Sequence, residues 1–104
     1  MVMPSMEEVL HHRINGGYIM RLGVQFTGSV AANSTRRWFT HSWPAAWRVL
    51  WLVAPTQPVQ DHSPQLEYTV QVERQTSTLV KYFIKVKNVS SQAVNFEARY
   101  AIMD

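Results

Sequence analysis

The chain has 104 residues, of which 46% are hydrophobic and 16% charged, with a formal net charge of +3 and no cysteine. That is the length of one domain, long enough to bury a core without disulfide or metal staples, and the composition is too apolar for a disordered chain. The missing cysteine excludes disulfides, thiol nucleophiles and thiolate metal sites, and leaves the compartment open.

The first stretch, "PSMEEVLHHRINGG", is the one piece that reads as helical. Ser5 and Glu8 have the spacing of a capping box. Met6, Val9 and Leu10 share one face at helical period, and Gly16-Gly17 stop the turn. Residues 1–17 are therefore expected to form a short helical extension, too short to persist unless it docks. Glu7, Glu8 and the lack of an apolar h-region argue against a secretory signal. No apolar run reaches membrane-spanning length, so no membrane span is expected.

From residue 18 the period changes to two. In "YIMRLGVQFTGSV", Tyr18, Met20, Leu22, Val24, Phe26 and Val30 share one phase, as one long strand or two broken at Gly23. "AANS" turns, with Asn33 suited to left-handed backbone. "TRRWFTHSW" has mixed phases, with Trp38 on one side and Phe39 on the other, and Pro44 ends it. "WRVLWLVAP" puts Trp47, Val49, Trp51 and Val53 on one face and Leu50 and Leu52 on the other, the pattern of a central or covered strand.

"PTQPVQDHSP" is a proline-punctuated loop. Beyond it, "QLEYTVQVER" alternates cleanly, with Leu66, Tyr68, Val70 and Val72 inward. "LVKYFIKVKN" turns Val80, Tyr82, Ile84 and Val86 inward and three lysines outward, with Phe83 misplaced on the polar face. "AVNFEARYAIM" closes the chain with Val94, Phe96, Ala98, Tyr100 and Ile102 inward.

Six to seven one-sided strands with short turns and no crossover helices imply an all-β protein. The expected fold is a small antiparallel β-sandwich, immunoglobulin-like or jelly-roll-like. Residues 18–104 would form its single domain, with the last two strands as a closing hairpin.

The chain carries little that resembles catalytic chemistry. Asp61-His62-Ser63 has the residue types of a triad, but consecutive loop residues do not aim at one another as a triad requires. His11-His12 lacks the i, i+4 spacing of a helical zinc pair. Glu67 and Glu73 would stand roughly 20 Å apart along one strand, too far for a glycosidase pair. No cofactor or metal is expected, and the chain is not read as an enzyme. Asn33-Ser34-Thr35 and Asn88-Val89-Ser90 match the glycosylation pattern but fall at turns. A nucleic-acid footprint needs clustered cations. Only Arg36-Arg37 are adjacent, and Lys81, Lys85 and Lys87 alternate along one stretch, so the charges read as solvated faces and no nucleic-acid partner is expected.

All four tryptophans lie between Arg36 and Trp51. Trp47 and Trp51 are in phase with Val49 and Val53 and read as core. Trp38 and Trp43 stand among polar residues near a strand end. There they would plug the sandwich, anchor an interface, or stack on a sugar ring with Arg36, His41, Asp61 and His62 supplying polar contacts. Phe83, Leu50 and Leu52 leave apolar surface that an interface would cover, and open sheet edges also favour association. The expected function is a non-catalytic, lectin-like binding module acting as a homo-oligomer, its partner a glycan or another protein. The competing expectation is an assembly subunit whose aromatics anchor protein contacts.

Overall fold

The computed structural model describes the backbone of residues 10–14 and 18–103, and side chains from Met20 onward. Among the described residues the chain forms seven strands and no helix. These are β1 (Leu10–Ile14), β2 (Tyr18–Val30), β3 (Thr35–Pro44), β4 (Arg48–Gln57), β5 (Leu66–Arg74), β6 (Leu79–Asn88) and β7 (Val94–Met103). Residues 10–14, expected to be helical, pair antiparallel with β2, Leu10 opposite Leu22 and Ile14 opposite Tyr18. Gly16-Gly17, read as a helix stop, and the rest of the expected helix lie outside the described residues.

Two antiparallel sheets face each other. One has the order β1-β2-β7-β4, the other β3-β6-β5. In an immunoglobulin constant domain the fifth strand lies between the second and fourth; here the last strand holds that place. The chain therefore does not follow immunoglobulin connectivity. The expected closing hairpin is also absent, since β6 and β7 lie in different sheets. Among the strands after β2, the consecutive pair joined within one sheet is β5–β6.

The core forms between the central strands. Val94, Phe96, Ala98, Tyr100 and Ile102 of β7 face inward as their alternation predicts, and all are buried. Val80, Ile84 and Val86 of β6 meet them. Gly28 permits the packing at one end: a Cβ there would lie 2.8 Å from the Phe96 ring and 3.0 Å from Trp38.

The phase of β2 departs from the expectation. Phe26 and Val30 stand opposite Ala98 and Val94 and face inward, but Leu22 and Val24 stand opposite Ala101 and Arg99 and face outward. The register shifts between Val24 and Phe26. A bulge at Gln25 adds one residue and reverses every side chain before it.

A second bulge interrupts β3 between Thr40 and Trp43. Ser42 sits there at φ 67°, and its N–H donates to Gln75 Oε1 at 3.0 Å. The extra residue brings Thr40 and Trp43, three apart, to the same inner side.

The strand β4 keeps its expected faces, with Val49, Trp51 and Val53 inward, Trp47 just before it packed on the same core, and Leu50 and Leu52 outward. It is an edge strand, not the central one its two apolar faces suggested. That position is consistent with Pro55 lying inside it, because proline withholds a ladder donor and is tolerated at an edge. The strand β5 is the other edge on that side, and its inward valines overhang the core, Val72 being 63% exposed. Asn33 takes the expected left-handed φ of 56°.

Candidate functional site

The proposed sugar platform does not assemble. Trp43 has no exposed surface. Its ring is met edge-on by Trp47, Trp51, Tyr82 and Tyr100, with centroids 5.3 to 6.1 Å away. Its indole N–H donates to the buried Thr40 hydroxyl at 2.8 Å. A ring satisfied on its edges and its polar atom offers nothing to a ligand. The same burial lifts the Tyr82 phenol above the usual tyrosine pKa.

Trp38 lies in a separate cluster with Phe26 and Phe96. It is half-buried, and the Arg36 guanidinium covers it at 4.7 Å. That guanidinium is itself held by a bond to the Ser29 carbonyl at 2.9 Å. His41 turns away from both clusters and lies beside Phe39 on the outer side of its sheet. Asp61 and His62 sit in the exposed β4–β5 loop and bond to each other at 3.1 Å. Ser63 instead accepts a hydrogen bond from Gln60 at 2.7 Å. The six residues expected to bind one ligand thus occupy four places, and Trp43 is withdrawn as a ligand contact.

Asn88 is fully buried as well. Its Nδ2 donates to the carbonyls of Val30 and Gln92 at 2.9 and 2.7 Å. That nitrogen is the atom a glycan would need, so in the folded chain Asn88 is a structural residue.

Two surfaces remain, one on the outside of each sheet. The outer face of β2-β7-β4 is apolar. Leu50 and Leu52 are 58% and 51% exposed. With Leu22, Val24 and Ala101 they line an open groove of about 870 Å³. Its charged members, Glu97 and Arg99, neutralise each other at 2.8 Å. Leu22 and Val24 were assigned to the core by alternation alone; only the bulge delivers them to this face.

The outer face of β3-β6-β5 is cationic and aromatic. Phe83 stands opposite Phe39, and Lys85 opposite Arg37. The two phenyl centroids are 6.1 Å apart. The Arg37 guanidinium lies 4.4 Å over Phe83, and the Lys81 ammonium lies 5.5 and 5.8 Å from the Phe39 and Phe83 rings. Phe83 projects among lysines as its sequence position implied, but its neighbours cover much of it, leaving it only partly exposed. The sequence shows Arg37 and Phe39 but not their link to β6, which is a matter of register between strands more than forty residues apart.

Among the described residues no group of three or more His, Asp or Glu side chains is placed to hold a metal ion, and no helix is long and apolar enough to cross a membrane. No family model matches the chain, and neither a curated protein nor a solved structure is similar to it.

Proposed function

We propose that the protein is a non-catalytic assembly subunit that binds a second copy of itself through the outer face of β2-β7-β4. The observation that carries this reading is the exposure of Leu50 and Leu52 beside a groove floored by Leu22, Val24 and Ala101. A contiguous apolar patch on a sheet exterior is a contact surface in search of cover. The Glu97–Arg99 pair leaves the patch without net charge, so two copies meet without repulsion across a two-fold axis. The burial of Trp43 and the covered face of Trp38 favour this reading over a carbohydrate platform. The order of strands supports a jelly-roll-like architecture, because early strands pair with late ones in nested fashion: β2 with β7, then β3 with β6.

The test is light scattering coupled to size exclusion at roughly 50 µM, well above a micromolar dissociation constant. Wild type is expected to elute as a dimer or larger species. Leu52→Glu is expected to elute as a monomer, with stability changed by no more than about 0.5 kcal/mol because the site is on the surface. A monomeric wild type at that concentration would remove the proposal.

A further inference from the structure

We infer that the outer face of β3-β6-β5 binds single-stranded nucleic acid. The face carries Arg37, Lys81, Lys85 and Lys87, with Phe39 and Phe83 set between them. Facing these four cations, two carboxylates, Glu67 and Glu73, stand across from Lys87 and Lys81 on the β5 edge. Among the described residues the ion pairs are Asp61–His62 and Glu97–Arg99, so none forms here.

Three features separate this face from an ordinary solvated one. Lysines often guard exposed sheet edges, but β6 is the central strand of its sheet and needs no guard. Arg37 and Lys85 are direct cross-strand partners, and like charges so placed repel each other. An anionic chain laid across them relieves that repulsion. Finally, the two phenyl rings occupy outward-facing, partly exposed positions on adjacent strands.

Cations alone would suit any polyanion. The rings make the choice, because every base has a π-face that stacks on aromatic rings and on arginine planes. A single strand fits better than a duplex, since the described residues include no helix to enter a groove and the bases must be free to stack. The stripe from Lys81 to Lys87 runs roughly 20 Å along β6, room for several nucleotides.

The probe is a fluorescein-labelled oligothymidine of about 12 nucleotides, within the range of site sizes for single-strand binders, followed by anisotropy with the full chain. Four phosphate contacts predict that log affinity falls against log salt with a slope of about −3, a loss of about 50-fold between 50 and 200 mM. Lys85→Gln is expected to bring the slope to about −2. Phe83→Leu, which leaves the charge intact, is expected to weaken binding by about tenfold without changing the slope. Phe39→Leu serves the same purpose should the Phe83 variant fail to fold by circular dichroism. Labelled heparin, which has charge without bases, is the comparison. Loss of oligothymidine affinity in the phenylalanine variant with heparin binding unchanged supports the inference. No binding of oligothymidine at 50 mM salt overturns it. So does equal binding of both probes that ignores the phenylalanine substitutions.

Discussion

At the scale of single residues, Trp43 shows how a polar neighbourhood misleads. Its place at the strand end before Pro44, next to the polar stretch Thr40 to Ser42 in phase with Trp38, suggested a wet site. Thr40 is instead the buried acceptor of the indole N–H, and Ser42 is the bulge that turns the ring inward. Trp43 then fills the middle of the lower core, with four aromatic edges around it. Thr40→Val keeps the volume and removes the acceptor, leaving a buried indole N–H unpaired. We expect a loss of about 1–3 kcal/mol in urea unfolding, with the emission maximum still blue. A substitution costing nothing would mean that the indole finds another acceptor.

At the scale of elements, the bulges in β2 and β3 and the junction at Asn88 decide which faces are which. Asn88 ends β6 and joins three segments. Its side-chain Nδ2 donates back to the last residue of β2, its Oδ1 accepts from the Ser90 N–H and hydroxyl at 2.8 and 2.7 Å, and its backbone N–H donates to the Ser34 carbonyl. The carbonyl of Gln65, at the end of the β4–β5 loop, accepts from Val89 next door. Asn88→Ala strips this junction of its side-chain bonds. The expected cost is about 2–4 kcal/mol, from unpaired groups left in a dry site. Hydrogen exchange should locate the loosening at residues 31–34 and 89–93. Loss spread evenly over the sandwich would contradict the junction's local role.

Alternation made β5, β6 and β7 legible, since one period-2 phase runs through each without a break. It failed in β2 because the bulge falls in an unbroken apolar series. Neither Met20, Leu22 and Val24 before Gln25 nor Phe26 after it carries a mark of the reversal. In β4 the two apolar faces were correctly read, and their meaning was not. A strand covered on both faces and an edge strand with an exposed apolar face have the same pattern.

At the scale of the whole molecule, the two sheets present opposite chemistries to solvent. One exterior is apolar and neutral, the other cationic and aromatic, with the aromatic core between them. The two faces share no charged or apolar residue, so the proposed self-association and strand binding are expected to respond to separate substitutions. Leu52→Glu is expected to abolish self-association and leave the salt slope of oligothymidine binding in place. Lys85→Glu is expected to do the reverse. Light scattering and anisotropy on both variants give four readings, and a substitution that moves both assays would show one continuous interface instead of two.

The amino-acid order alone determined the class of this protein, because burial of one-sided strands is local and repeats every second residue. It also determined the inward faces of β4 to β7 and the turn at Asn33. Tertiary structure alone decided which strand lies beside which, and so that Phe39 meets Phe83, that Arg37 meets Lys85, and that Leu22 joins Leu50 and Leu52. Cross-strand neighbours are set by register between distant segments, and a single bulged residue resets it. A surface made of residues from three strands has no image in any one stretch of the chain.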